Sequence, residues 1–594
     1  MKFIGFFNDQ SKAEVPSGFV KYQGIYSTHQ PLFTEAGNQK LILFGNVYHI
    51  PGFKTDSADT QSLLKKILSI YLVQGNEGLM SIDGDFTAVI YNGHETRIYR
   101  DFKGTGPQVF YNDHCFSNDL RLLMQVGSHP AEPDDTALSF FLTWGYVPPG
   151  KSGIKGIRRL RNGHLLRHAH HHIEIKKVND PAYTIEKVSR QSNPDELSER
   201  YFDLHKESIS NRITGKQKIG LLLSGGYDSG GNLAAMRSIY QGPLHSFTIS
   251  FKDNPHSELE FVRIMAKEFN SELTNYEICG PEIEFLPEII SQTGVPFQES
   301  GLMINYLVMR AAGASHPDIV LGGDGNDQMF GTGAKELAVK LLMNQTGMVA
   351  AQKILKAVCG NMESGNFWKR VNFYNRKIDK VVYPDRWGFP PNQLVYPANE
   401  KEVIIIDPVF TWSYKNLYEN RRINVDLAHT AFNIILFKAS RMAELFDVQL
   451  AFPYLARPVF EFVNSLPIGF RIHGTVKEIR QGKGIAKFTH KKTYKSRMPQ
   501  QITNRKKQGG FVPLSIFFGN DKRNNDFFGM IEKSGLIGHL LKDKKTALRT
   551  LQNSIHDKNI WFWYQQVYFS RLFNLVVLAT WEKMVIENKQ LDRI

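Results

Sequence analysis

Three short runs constrain this chain more than any other feature: KIGLLL (218–223), HSFTISF (245–251) and DIVLGG (318–323). Each is largely apolar, each gives way to a glycine-rich or polar turn, and helical periodicity fills the intervals. A strand wet on one face alternates apolar and polar residues. A continuous apolar run has both faces covered, as in a parallel sheet with helices on its two sides. In such sheets ligands collect at the carboxyl ends of the strands, so function is expected in the turns after these runs.

The first part of the chain is written differently. From Met1 to about Glu186 short strands and turns dominate: KLILFGNVYHI, FTAVIYNG, TRIYRD, QVFYND and NGHLLRHAHHHIEIKK, with one helix around Thr60–Gln74. This spacing predicts an antiparallel sheet domain. A polar stretch, 179–193, leads into PDELSERYFDLHKESISNRI, an amphipathic helix with an acidic first turn. At 594 residues the chain is too long for one core, and the expected division is residues 1–186 and 200–594. Beyond Lys335 the periodicity is helical, and the aromatic segment from Ile560 to Val585 reads as a core helix pair.

The only cysteines, Cys115, Cys279 and Cys359, exclude a disulfide framework or a thiolate zinc site and fit a reducing cytoplasm. FIGFF is shorter than a signal-peptide core, and no run approaches membrane-spanning length, so no membrane is expected. The net charge of +14 is spread among interleaved acids, which favours a basic soluble enzyme over a nucleic-acid binder.

SGGYDS, Ser224 to Ser229, follows a strand and opens a helix, so free backbone N–H groups and the positive helix end address one spot. It is neither GxxxxGK[ST] nor GxGxxG, and no lysine follows its glycines. Charge neutralisation then falls to a metal, with Asp228 as ligand; a plain glycine-rich cap is the alternative. VLGGDGNDQMFG, 320–331, is a second strand-end turn carrying Asp324 and Asp327. Asp327 would complete a magnesium site with Asp228, since magnesium takes one or two carboxylates plus phosphate oxygens. A surface acidic turn is the weaker reading. NRKKQGGFVP, 504–513, sets three cations before a glycine pair. It is a solvated basic run unless a closed site uses one lysine to stabilise developing charge.

Taken in order, LSGGYDS, LGGDGNDQMFG, FKASRMAELFDVQLAFPYL and NRKKQGGFVP resemble the synthetase domain of the glutamine-dependent asparagine synthetase family, which includes β-lactam synthetases and lasso-peptide cyclases. ADTQSLLKKIL, IDGDFTAVIY, RDFKGTGPQVFY and WGYVPPG with KGIRRLRNGHLL follow that family's class II glutaminase domain. Nearly the whole chain is covered. The resemblance implies an α/β protein: an N-terminal Ntn-type antiparallel domain and a C-terminal parallel-sheet ATP pyrophosphatase domain. It implies ATP cleavage between the α and β phosphates, an acyl-adenylate, and displacement of AMP by an amine. Ser224, Gly225, Gly226, Asp228, Ser229 and Gly323 would hold ATP, with Leu222 and Ile249 flanking the adenosine. Asp228 and Asp327 would bind Mg2+, Lys507 would stabilise the adenylation transition state, and Asp324 would act as base or orient the amine.

Several positions depart from the pattern. Lys2 stands where family glutaminases have their nucleophilic cysteine, and lysine supplies no thiol and blocks methionine removal. Phe44 replaces an oxyanion-donating asparagine, no RGPD run occurs near Ser27 to Gln30, and Asp324 replaces a glutamate. Glutamine hydrolysis is therefore not expected. The favoured expectation is a ligase joining an adenylated carboxylate to a non-ammonia amine, with a ribosomal lasso-type precursor peptide as substrate and a peptidase as partner. The alternatives are an amidotransferase fed with ammonia or by a separate glutaminase, and a non-catalytic binding homologue. Of the smaller signals, His168 to His172 reads as an exposed hairpin turn rather than a zinc site. Glu258 reads as a helix-start acid or a nucleotide neighbour. The cations of 482–502 read as a solvated face.

Overall fold

The structure is a computed structural model, and it describes residues 1–7, 14–22, 24–53, 59–178, 188–252, 258–346, 348, 354, 365–379, 387–397, 413–505 and 512–594. The N-terminal part is built from two six-stranded antiparallel sheets. Strand Gln39–His49 shows why its centre, Leu41 to Phe44, is apolar without alternation. Leu41 and Leu43 pack with Leu64, Ile67 and Leu68 of helix Thr60–Gln74, while Ile42 and Phe44 pack with Phe3, Phe7 and Phe116 of the other sheet. That second sheet turns Ile4 towards Leu122 and Val126 of helix Leu120–Val126. The layering is helix, sheet, sheet, helix, and no strand in the middle has a wet face.

The C-terminal part holds a five-stranded parallel sheet in the order Glu272–Ile278, Leu244–Phe251, Ile219–Leu222, Ile319–Leu321, Leu450–Ala451. The three apolar runs are its centre. The outer strands escape a search for continuous apolar runs, because Glu272–Ile278 is an edge with mostly polar, half-exposed positions and Leu450–Ala451 spans only two residues. Ile219–Leu222 comes first in the chain and has later strands on both sides. The order reverses there, and the crevice at its carboxyl end is where ligands bind in such sheets.

One expectation is corrected. The C-terminal aromatic segment is a single helix, Phe562–Trp581, continued by a wide turn over Glu582–Ile586. It contains no glycine or proline to break it, and it is buried almost all round. A helix apolar on every side belongs in a core. Among the described residues no helix is long and apolar enough to cross a membrane.

A buried ionic cluster fastens the two parts. Arg212, on helix Pro194–Ile213, donates to Asp83 at 2.9 Å and lies over the Tyr48 ring at 4.4 Å. Lys103 stands 2.8 Å from Asp85 and 3.5 Å from Asp83, and the Tyr48 hydroxyl donates to Asp85 at 2.9 Å. Burial pushes the Asp83 carboxyl up, yet Arg212 and Lys103 together hold it below the usual carboxylate range. Removing one partner from a buried pair strands the other charge. Arg212→Ala is therefore expected to cost about 3–5 kcal/mol, read as a lowered urea midpoint of the full chain; an unchanged midpoint would mean that the cluster does not hold the parts together.

Candidate active site

The SGGYDS turn is made by its glycines. Gly225 has φ +70°, and a Cβ there would come 3.1 Å from the Phe261 Cβ and 3.2 Å from the Val262 nitrogen. The position needs glycine for conformation and for space. The Ser224 N–H donates to the Ser229 hydroxyl at 3.0 Å, and the two hydroxyls lie 3.1 Å apart, closing the loop on itself. Gly226 precedes helix Tyr227–Ile239 without a side-chain cap. The first-turn N–H groups thus have neither an intrahelical nor a side-chain acceptor, and they form a cradle for an anion.

The second glycine corner is pressed against the first. A Cβ on Gly323 would fall 3.1 Å from the Ser229 nitrogen. Asn232, on the loop helix, donates to the Gly322 carbonyl at 2.9 Å, and Asn326 donates back to Asp228 at 2.6 Å. Leu222 and Ile249, near the carboxyl ends of adjacent strands, are partly buried against the central core.

Asp228 and Asp327 do converge, and what they converge on is Lys487, which sequence reasoning did not single out. Its buried ammonium lies 2.7 Å from both Asp228 oxygens and 2.8 Å from Asp327 Oδ1. Lys487 takes φ +54° just before helix Phe488–Tyr494, and three residues later His490 places Nε2 at 3.1 Å from Asp228 Oδ1. In sequence Lys487 is one of several lysines between 483 and 495, and spacing cannot tell it from its solvated neighbours. Only its left-handed backbone at the helix start and the two distant carboxylates mark it.

The charges explain one another. Burial raises Asp228, but Lys487 and then His490 hold it well below the usual carboxylate range. Burial lowers Lys487, and Asp228 and Asp327 more than reverse that, so it stays protonated. Burial depresses His490 despite Asp228, leaving a neutral imidazole with Nδ1 3.3 Å from the Tyr201 hydroxyl. Asp324 is the exception. Burial pushes it up to about 6; Lys438 opposes this, while Asp228, Glu299 and Asp327 add to it. Lys438 is in turn paired with Glu299, which also accepts from the Gly301 N–H at 2.9 Å.

The donor set fits magnesium. Two carboxylates already close on one cation, the Lys487 ammonium. A two-carboxylate site completed by phosphate oxygens and water is the kind magnesium takes. Lys507 lies outside the described residues. Just before it, the Thr503 carbonyl accepts from the Tyr227 hydroxyl at 3.2 Å, and Arg505 donates to Glu258 at 2.8 Å. Glu258 is thus engaged by the chain leading to Lys507.

At the other end of the molecule, Phe44 is fully buried and stacks on Phe3 with centroids 4.0 Å apart and planes at 12°. Lys2 turns its ammonium to Asp119, and its backbone N–H donates to the Thr28 hydroxyl at 3.0 Å. The histidine tract is only partly an exposed turn. His170 and His171 occupy the hairpin turn with φ of 49° and 60°, but His168 is buried and stacks on Phe7 at 4.6 Å.

Fold and site define a two-part enzyme, an amidotransferase-like sandwich joined to a parallel-sheet unit with an anion-binding loop. An asparagine synthase family model matches residues 201–569, and a glutamine amidotransferase domain model matches 23–179. The chain is 22% identical to "Asparagine synthetase [glutamine-hydrolyzing] 1" of Bacillus subtilis (strain 168) over 586 residues, covering 93% of this chain and 88% of that protein. It is also 22% identical to a "Putative asparagine synthetase [glutamine-hydrolyzing]" of Mycobacterium bovis over 616 residues, covering 96% and 89%. A solved structure of NMN synthetase from Francisella tularensis matches 24% of this chain and 58% of its own, at 19% identity and a TM-score of 0.18. The chain belongs to the asparagine synthase family. It is an ATP-dependent carbon–nitrogen ligase of asparagine synthetase type.

Two measurements check these electrostatics. Asp324 has a folded-state pKa above its unfolded value, so its contribution to stability is full at low pH and lost as pH rises through about 6. Asp324→Asn, neutral throughout, should be more stable than wild type by about 1–3 kcal/mol near pH 8 and no different near pH 3. Lys487→Met leaves two carboxylates facing one another. Its melting midpoint should fall in metal-free buffer and respond to added magnesium more strongly than that of wild type.

Proposed function

We propose that this chain adenylates a substrate carboxylate and joins it to an amine carried by a substrate, with a ribosomal precursor peptide as the favoured substrate and no hydrolysis of glutamine. The observation that carries the departure from glutamine chemistry is the Phe3–Phe44 stack, a dry aromatic contact at a position where the family resemblance calls for an oxyanion donor. Lys2, ion-paired to Asp119, offers no thiol at the nucleophile position. The synthetase part, by contrast, retains the SGGYDS loop, Asp228 and Asp327, which supports the reading.

In this reading the triphosphate lies in the cradle of Ser224, Gly225, Gly226 and Ser229, against Gly323, with adenosine between Leu222 and Ile249. A substrate carboxylate oxygen attacks the α-phosphorus, the bond to the bridging oxygen breaks, and pyrophosphate leaves into the N–H cradle. Lys487 holds the negative charge of the departing group. Asp228 and Asp327 would hold magnesium, which when bound neutralises phosphate charge. Asp324 takes the proton from the attacking amine, and AMP departs from the tetrahedral intermediate. Lys507 is assigned the stabilisation of both charged states. A carboxyl that titrates near 6 suits a base at neutral pH.

A second reading, asparagine synthesis from ammonia, is favoured by the relatives, asparagine synthetases that match over nearly their whole length. ATP–pyrophosphate exchange separates the two. Exchange driven by peptide carboxylates, with no glutaminase activity, supports the proposal. Exchange that needs free aspartate, with ammonia-dependent AMP formation, replaces it with the second reading. Lys487→Ala should lower exchange by about 10²–10³. Asp324→Asn should retain exchange but lose amide formation, and the wild-type amide-forming rate should fall as pH drops below about 6.

A further inference from the structure

Away from the nucleotide corner, Arg159 is a largely buried charge with no acceptor for its side chain among the described residues. Arg159 lies on the two-residue strand Arg158–Arg159 and is 7% exposed. Its backbone N–H donates to the Gly150 carbonyl at 3.0 Å. Its guanidinium sits over the Phe437 ring, 5.0 Å from the centroid, and makes no hydrogen bond or ion pair with any described residue. A guanidinium cannot shed its proton to escape burial, and its five donors normally find acceptors.

Its surroundings make the imbalance worse. Burial first, then Arg100, Arg441 and Arg161, bring Arg159 down to about 9. The nearby carboxylates are already engaged. Glu444 pairs with Arg441 at 2.8 Å. Asp101 faces Arg100 and accepts from the backbone N–H groups of Lys103, Gly104 and Gly106 at 3.1, 2.9 and 2.9 Å. Arg100 donates to the Leu160 and Gly104 carbonyls, and Arg441 to the Gly106 carbonyl. Each neighbour thus has acceptors for part of its guanidinium, although the Nε atoms of Arg100 and Arg441 are also unpartnered, and Arg159 has no side-chain acceptor among the described residues.

The position is a seam. Arg159 and Arg100 belong to the N-terminal sheets, while Phe437 and Arg441 come from helix Leu436–Leu445 of the synthetase part. The same helix carries Lys438, whose charge acts on Asp324.

We propose that Arg159, flanked by Arg100 and Arg441, is a buried binding site for one small oxyanion, a phosphate or a carboxylate, at the seam between the two parts of the chain. Water could accept from the guanidinium but would leave the charge uncompensated. An oxyanion supplies both acceptors and charge, and planar two-point contacts of this kind are what arginine favours.

The test is thermal unfolding of the full chain at constant ionic strength, titrated with sodium phosphate in one arm and sodium formate in the other, against sodium chloride. The wild type should show a saturable rise in melting midpoint with at least one of the two anions, as ligand linkage requires, and the responsive arm identifies the source. Because the SGGYDS loop would also take phosphate, Ser229→Ala is run alongside and should keep the response, whereas Arg159→Met should lose it or weaken its affinity about tenfold or more. In anion-free buffer Arg159→Met should melt no lower than wild type, since it removes an unanswered charge. Absence of any saturable response in the wild type overturns the proposal, as does an Arg159→Met response equal to that of wild type. Should Arg159→Met fail to fold, Arg159→Lys decides: it keeps the charge and loses the fork, and undiminished affinity rejects the site.

Discussion

Two carboxylates from separate glycine corners close on a single buried ammonium, and the rest of the synthetase site is arranged around the electrostatic problem this sets. Ions taken out of water are expensive unless each is answered at short range. Asp228 is answered by Lys487, by the Asn326 amide and by the start of the loop helix, whose positive end favours an acid in its first turn. Asp327 is answered by the same lysine, and burial lowers His490, which disfavours a second cation in the cluster. This one cation lashes three distant segments together: the SGGYDS loop, the GGDGND corner and the start of helix Phe488–Tyr494. It also keeps the two glycine corners closed on one another.

The same rule separates the groups of the site by environment. Asp228 and Asp324 are both partly shielded acids in glycine turns that follow a strand, and nothing in their local sequence sets one apart as the ionised group. One is pinned to a cation and stays ionised; the other has carboxylates around it, with Lys438 largely committed to Glu299, and is held near neutrality. Two neighbouring carboxyls are thus shifted in opposite directions by their surroundings. At the far end, Phe3, Phe44 and Phe116 fill the space between the sheets of the N-terminal sandwich, which is bolted to the synthetase part through Arg212 and Asp83.

Much of this was readable in the residues. The central strands of the parallel sheet, the helix at Thr60–Gln74, the loop glycines and the pair Asp228 and Asp327 all follow from local rules: burial on both faces, capping, and turns that only glycine can make. Where reading failed, the cause was a pattern with no local trace. Glu272–Ile278 is an edge strand whose pairing, not its composition, makes it a strand. The C-terminal segment lacks any breaker and so runs on as one helix where a pair is expected. Lys487 sits among lysines that look alike until the fold buries one of them. His168 shares a tract with exposed histidines, but its strand position points it inward onto Phe7.

The class of fold, the glycine turn that opens the loop helix and the family are legible in the residues, because periodicity, glycine placement and ordered motifs are properties of neighbouring residues. Only the tertiary structure decided which lysine answers Asp228 and Asp327, which carboxyl titrates near 6, and which arginine is left without a partner at the seam. Those outcomes depend on burial and on charges brought together from residues hundreds of positions apart, and neither quantity exists until the chain has folded.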